Sequence, residues 1–123
     1  FEKTDQNKQL VKDMIREVLM PGGNVGRIEE FISSESYIQH NREVEDGLEH
    51  FRKLAEDPNR PLNYDEIVLC VGCGNFVATL CKANWLGKSY AQVDIFRIEH
   101  GKIVEHWDNV EPVPEVQANS GKF

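Results

Sequence analysis

The hydrophobic pattern changes period after Leu62, and this change constrains the fold more than any other feature. From that point apolar and polar residues alternate in four segments, each of which predicts a β-strand. These segments are 64–71, 76–84, 89–98 and 102–110. The links between them are short and contain glycine, and links of this length join antiparallel strands. The second half of the chain therefore predicts an antiparallel meander.

Before Leu62 the apolar residues follow helical spacing instead. The pattern predicts a long helix over about 5–20, a shorter one near 25–33, and a third that Asp46 caps and that stops before Asp57. The stretch 37–41 between them is too short and too polar for a helix. Helices first and a meander afterwards predict an α+β fold, with the helices against one face of the sheet.

Length and charge limit the class of protein. A chain of 123 residues fits one domain, which we place at 1–111, and the tail 112–123 is expected to be loosely ordered. The net charge of −7 argues against a nucleic-acid partner, and no apolar run is long enough to cross a membrane. Three cysteines, an odd number, argue against a disulfide framework and favour a cytoplasmic location.

The turn of the last hairpin decides which side chains share a face. A two-residue turn needs positive φ at His100 and Gly101, whereas a three-residue loop over 99–101 needs it only at Gly101, so we expect the loop. Asp94 then lies opposite His106. The face that they share carries Asp94, Phe96, Val104, His106, Asp108 and Val110. The opposite face, a candidate dimer surface, carries Val93, Ile95, Arg97, Ile103, Glu105 and Trp107.

Two carboxylates and an imidazole on this otherwise apolar face suggest chemistry. Burying such groups is costly unless they are paired or used. A cluster of this kind can keep one carboxylate protonated, as acid–base reactions at a carbonyl or enol require. Two alternatives stay open. His106 and Asp108 could lie near a strand end in solvent, and a two-residue turn would instead join Asp94 with Glu105 and Trp107.

Three segments carry a family resemblance: Tyr37 to Asn41, Val93 to Ile98, and Gly101 to Asp108. They resemble the SnoaL-like branch of the NTF2-like superfamily, which includes polyketide cyclases and proteins expected to catalyse aldol condensation. The resemblance implies a cystatin-like cone, in which N-terminal helices pack on a curved antiparallel sheet that encloses a pocket. It also implies a homodimer.

The resemblance assigns roles to single residues. Asp108 matches the Asp that is the proposed acid or base of the cyclases. Asp94 matches a strand position that holds an oxyanion-binding Asp in ketosteroid isomerases and a His in the cyclases. The isomerases' catalytic Asp near the start of the chain has no clear counterpart. His40 falls at the family's pocket mouth, where it could orient a substrate oxygen, pair with Asp108, or simply bond to the backbone.

Two functions follow as hypotheses. The first is an enzyme without cofactor or metal that acts on a hydrophobic or carbonyl-containing small molecule. In it Asp108 transfers the proton, Asp94 and His40 hold a carbonyl, and His106 tunes Asp108. The expected substrate contacts are Phe96, Val104, Val110, Tyr37 and Asn41. The second is a non-catalytic module that binds a hydrophobic small molecule or a protein. Convergence of the polar groups in an open cavity would favour the enzyme.

Overall fold

The amphipathic N-terminal segment forms a helix that packs against the sheet in the computed structural model of the chain. The structure describes residues 3–60 and 62–123, and of residue 62 only the backbone, so Phe1, Glu2 and Pro61 of the predicted domain lie outside the described residues. The helices are α1 (Thr4–Met14), a π-helical turn (Ile15–Leu19), a 3-10 helix (Val25–Glu30) and α2 (Leu48–Glu56). The strands are β1 (Ile38–Gln39), β2 (Leu62–Cys73), β3 (Phe76–Trp85), β4 (Lys88–Glu99) and β5 (Lys102–Pro112).

The sheet confirms the predicted α+β class and the meander. Its strands lie in the order β1-β5-β4-β3-β2, and β2 to β5 are antiparallel neighbours. Apolar residues of α1 and the π-helical turn, such as Val11 and Ile15, are fully buried in the same cluster as Val77 and Cys81 of β3. This layer of helix on sheet forms the core. No helix in the described part of the chain is long and apolar enough to cross a membrane.

β1 makes the sheet mixed, because it runs parallel to β5. Ile38 pairs with Glu105, and Gln39 pairs with His106. The Asp46 carboxylate accepts a hydrogen bond of 2.8 Å from the Gln39 backbone N–H. The predicted capping of the third helix by Asp46 is therefore wrong: Gly47 precedes α2 and no side chain caps it. Asp46 instead fastens the short strand that carries Gln39 to β5.

The last hairpin has a two-residue turn, so the predicted three-residue loop is wrong. His100 has φ 50° and Gly101 has φ 76°, and Glu99 pairs with Lys102. Both turn residues thus lie in the left-handed region that a tight hairpin requires. Histidine is one of the few residues other than glycine that is enriched in this region, so the positive φ at His100 costs less than the prediction of a longer loop assumed.

A β-bulge in β5 adds a second one-residue shift to the shift that the shorter turn causes. Ile98 pairs with Ile103, but Arg97 pairs with Glu105, so Val104 has no partner on β4. The extra residue shifts the register by one, which changes the face of every residue beyond it.

Because the two shifts add up to two residues, the polar side chains still lie on the predicted face, but their partners differ. Asp94 lies opposite Asp108 rather than opposite His106, and Phe96 lies opposite His106. Ile103, which we expected on the outer face, is fully buried in the core.

The tail beyond β5 forms no helix or strand but lies against the sheet at several points. The Val113 backbone N–H donates to the Ser89 carbonyl at 3.0 Å. Lys122 pairs with Glu111 at 2.6 Å, and the Lys82 ammonium lies 5.2 Å from the centre of the Phe123 ring. These contacts connect the last residues to β4, β5 and β3.

The β3–β4 turn offers a direct test of backbone strain. Leu86 is 77% exposed and has φ 49°, a conformation that costs leucine free energy and suits asparagine. We expect Leu86→Asn to raise the free energy of unfolding by about 0.5–1 kcal/mol, measured by urea denaturation. His100→Asn is the matched control and should gain less, because histidine already tolerates the region. Destabilisation by Leu86→Asn would contradict this account.

Candidate active site

A cavity of about 270 Å³ opens between α2, β1 and the inner face of the sheet. His106 and Asp108 of β5 reach it from the sheet, and so does Gln92 of β4. Leu19, Phe51 and Leu54 supply apolar wall on the helical side. The cavity therefore combines a mainly apolar wall with a few convergent polar groups, as small-molecule sites do.

Asp94 is completely buried behind this cavity and forms hydrogen bonds with three side chains. The Tyr64 hydroxyl donates to Oδ2 at 2.8 Å, while Gln92 Nε2 lies 3.1 Å and His106 Nε2 2.7 Å from Oδ1. Burial, and then the charge of Asp94, raise the pKa of Tyr64 well above its ordinary value. The phenol therefore keeps its proton and acts as a donor, and Asp94 holds His106 in one orientation.

Gln39 determines which ring nitrogen of His106 carries a proton. The Asn41 backbone N–H can only donate, and it donates to Gln39 Oε1 at 3.1 Å. His106 Nδ1 lies 2.8 Å from the same oxygen and must therefore be an N–H donor. The contact between His106 Nε2 and Asp94 then needs a second proton. The Asp94–His106 pair thus holds that proton in common, either as imidazolium and carboxylate or as imidazole and carboxylic acid.

Asp108 lies next to this pair and faces the cavity. Its Oδ2 accepts a hydrogen bond of 2.9 Å from Asn41 Nδ2. One ligating atom each of Asp94, His106 and Asp108 lies within 4.8 Å of the others. A second carboxylate beside a pair that shares a proton suits acid–base chemistry, because the proton can stabilise negative charge on Asp108 or on a ligand.

The same three residues could hold a metal by ligand type, but their hydrogen bonds fit a proton better. Each ring nitrogen of His106 already lies within hydrogen-bond distance of an oxygen, one on Asp94 and one on Gln39. A metal would have to displace one of these two contacts to reach the imidazole. The donor set therefore matches a hydrogen-bonded acid–base group.

His40 lies on the opposite face, so the expected contact with the cavity or with Asp108 is wrong. Its ring stacks on Trp107 with centroids 4.7 Å apart and planes 2° apart. Its Nε2 lies 2.7 Å from the Glu105 carboxylate. Successive residues of a strand point to opposite faces, so the neighbour that faces inward is Gln39, not His40.

The predicted substrate contacts are divided between the cavity and its surroundings. Asn41 lines the cavity, whereas Phe96 and Tyr37 are buried behind it. Phe96 supports the His106 ring at 5.0 Å between centroids, and the Tyr37 hydroxyl accepts a hydrogen bond from Gln39. Val104, displaced by the bulge, lines a separate cleft beside Ile32 and Ser33. Val110, opposite Gln92 on β5, is not among the described residues that line the cavity.

Sequence reasoning missed Gln39, Tyr64, Gln92 and Arg60 as residues of this site. The alternation that placed Asp94 inward also applies to Gln92, two residues earlier, so that residue could have been found. The position of the Tyr64 side chain depends on two register shifts in the pairing of β2 with β3. Gln39 depends on the parallel pairing of a two-residue strand, for which the sequence carries no local signal.

The fold and site together define an α+β protein with a buried Asp–His pair beside a cavity. No family model and no curated protein matches the sequence. Solved structures do match. A proposed ketosteroid isomerase from Kribbella flavida superposes with a TM-score of 0.75 at 11% identity, over 95% of this chain and 86% of that one.

Two further structures point to the same fold. An LEH-like epoxide hydrolase from M. tuberculosis gives a TM-score of 0.72 at 11% identity, over 89% of this chain and 85% of that one. IdmH, a proposed polyketide cyclase from Streptomyces antibioticus, gives a TM-score of 0.67 at 17% identity, over 86% of this chain and 92% of that one. The chain has the NTF2-like fold, which confirms the fold that the resemblance to SnoaL-like proteins implied.

Proposed function

We propose that the protein is a SnoaL-like small-molecule enzyme that performs acid–base chemistry at a carbonyl without a cofactor. The observation that carries the proposal is the convergence of Asp94, His106 and Asp108 within 4.8 Å beside the cavity. The solved structures that share the fold include a proposed polyketide cyclase and a proposed ketosteroid isomerase, which supports this class of reaction.

Asp108 is the group best placed to move a proton. Its carboxylate would remove a proton from the carbon next to a substrate carbonyl, leaving an enolate and a neutral Asp108. In an aldol closure the enolate carbon attacks a second carbonyl, and the new alkoxide recovers the proton from Asp108. In an isomerisation the proton returns to another carbon of the same molecule. Either cycle leaves the enzyme unchanged.

The roles of the neighbouring residues follow from their positions. Asp94 has no exposed surface, so it acts by holding His106 and its proton, and we no longer assign it a direct contact with the carbonyl. The shared proton would stabilise charge that develops in the cavity. Asn41 and Gln39 each carry an amide with two N–H groups, of which one is used in the contacts above. The remaining N–H groups are candidate donors to an enolate oxygen.

A non-catalytic binding module is the alternative, and hydrogen exchange separates the two. The purified protein is incubated in D₂O with small ketones, enones and polyketide-like aromatics, and NMR follows the protons next to each carbonyl. An enzyme of the proposed kind accelerates their loss for at least one compound above the buffer rate. Binding of several compounds without faster exchange in any of them would favour the binding module.

We also propose that a second copy of the chain covers the outer face of the sheet. Large apolar side chains lie exposed there: Leu69, Val71, Phe76, Val93 and Ile95. Patches of this kind on a soluble protein mark interaction sites. Beside them Arg97 and His40 form hydrogen bonds with the Glu105 carboxylate. These hydrogen bonds, chiefly the one from His40, lower the pKa of Glu105. The charged groups at the edge of the patch are thus paired within the chain.

Substitution in this patch tests the dimer. We expect the wild type to sediment as a dimer and Ile95→Glu to sediment as a monomer, because a carboxylate buried in the interface would have no partner. Leu86→Glu is the control, since Leu86 is also apolar and exposed but lies at the tip of the β3–β4 hairpin. A wild type that sediments as a monomer at about 0.1 mM, where standard-sized interfaces are occupied, would refute the dimer.

A further inference from the structure

Arg60 places a fixed positive charge in the wall of the cavity. Its guanidinium donates from Nε to Asn63 Oδ1 at 3.0 Å, from Nη1 to the Ala55 carbonyl at 2.8 Å and from Nη2 to the Leu19 carbonyl at 2.5 Å. The two carbonyls lie at the ends of α2 and of the π-helical turn. These contacts fix the orientation of the guanidinium and use three of its five N–H groups.

In the described part of the chain no carboxylate forms an ion pair with this charge. Glu43 and Asp57 line the cavity as well, but both are exposed to solvent. Asp57 Oδ1 instead accepts a hydrogen bond of 2.8 Å from the Asn59 backbone N–H. Burial lowers the pKa of Arg60. The guanidinium is thus partly desolvated, and its acceptors among the described residues are all neutral.

We infer that Arg60 binds an anionic group of the ligand, and that the protein takes small apolar molecules that carry a carboxylate. A guanidinium that keeps two N–H groups without a partner among the described residues suits a carboxylate in particular. Tyr64 connects this end of the cavity to the reacting end, because its hydroxyl contacts Asp94. A carboxylate at Arg60 would therefore direct the rest of the molecule along an apolar wall toward His106 and Asp108. This inference rests on the proposed function and adds a substrate class to it.

A matched pair of probes tests the inference without turnover. 2-Naphthoate and 2-naphthamide have nearly the same shape and differ in charge. By titration calorimetry at neutral pH we expect the wild type to bind the carboxylate about tenfold to a hundredfold more tightly than the amide, as for hydrogen bonds to a charged group. Arg60→Gln keeps hydrogen-bond donors but loses the charge, and we expect it to bind both probes equally.

Arg27→Gln is the control variant, because it removes the same charge from an exposed site that pairs with Glu17 and Glu30. It should keep the preference for the carboxylate. A second measurement needs no variant: the NMR signal of the Arg60 Nε–H should shift with 2-naphthoate and stay in place with 2-naphthamide.

Equal affinity of the wild type for both probes, no binding of 2-naphthoate, or a preference that survives Arg60→Gln would each overturn the inference. Because these measurements involve no reaction, a protein that catalyses nothing can still bind the carboxylate through Arg60. Likewise, an active enzyme can fail to prefer the carboxylate. The two proposals therefore fail separately.

Discussion

Asp108→Asn is expected to lower kcat/KM for an identified carbonyl substrate by about a hundredfold to ten-thousandfold, the range that a positioned general base contributes. The amide keeps the shape of the side chain but cannot take a proton from carbon. KM should change little, because the apolar wall and Arg60, which we propose as the ligand-binding groups, stay in place. The measurement is steady-state kinetics, or the rate of exchange in D₂O for the same compound.

Asp57→Asn provides the control for this experiment. It removes one carboxylate from the cavity wall, as Asp108→Asn does, but Asp57 is exposed, and its described hydrogen bond goes to the Asn59 backbone and not to Asp94 or His106. We expect its kcat/KM to stay within about twofold of wild type, because exposed charges act weakly across solvent. If Asp108→Asn kept wild-type turnover, or if Asp57→Asn lost as much, the assignment of Asp108 would be wrong.

Asp94→Ala is expected to lower the free energy of unfolding by about 3–5 kcal/mol, as expected when one partner of a buried, proton-sharing pair of ionisable groups is removed. The change leaves the His106 ring with an unpaired N–H or an unpaired nitrogen, and it removes the acceptor of the Tyr64 hydroxyl and of Gln92. Urea denaturation followed by circular dichroism measures the difference.

Two further variants separate the role of Asp94 from a general effect of substitution. Asp65→Ala removes an exposed carboxylate from β2 and should change stability by less than about 0.5 kcal/mol. Asp94→Asn keeps an acceptor but carries no charge, so it should be milder than Asp94→Ala. In that variant ¹⁵N NMR should show a neutral His106 ring that keeps its Nδ1 proton. A loss below about 1 kcal/mol in Asp94→Ala would contradict the proposed proton-sharing pair.

The sequence predicted β3, β4 and β5 well because each of them is buried on one face. Alternation of apolar and polar residues located β3, β4 and β5 to within two residues at each end. The same alternation placed Asp94, His106 and Asp108 together. Features that depend on single contacts between distant segments were not predictable in this way, and the pairing of Gln39 with His106 is the clearest example.

The predicted face was correct for Asp94, His106 and Asp108, although the register from which it was derived was wrong. The turn at His100 is shorter by one residue than expected, and the bulge at Val104 adds one residue to β5. Together they shift the pairing by two residues beyond the bulge, so each side chain there lies on the predicted face but opposite a different partner. Up to the bulge the shift is only one residue, which is why Ile103 and Val104 lie where alternation did not place them. A bulge has no reliable signal in a single sequence.

The complete burial of Asp94 also limits how a proton can move between this carboxyl group and the cavity. Of the three side chains that contact its oxygens, Gln92 has no proton to release, and the raised pKa of Tyr64 keeps that proton in place. Among these three side chains His106, which borders the cavity, is therefore the one that can pass a proton between Asp94 and the cavity. A ligand that fills the cavity would cover His106. We then expect the total charge of the Asp94–His106 pair to stay constant while Asp108 gains and loses a proton.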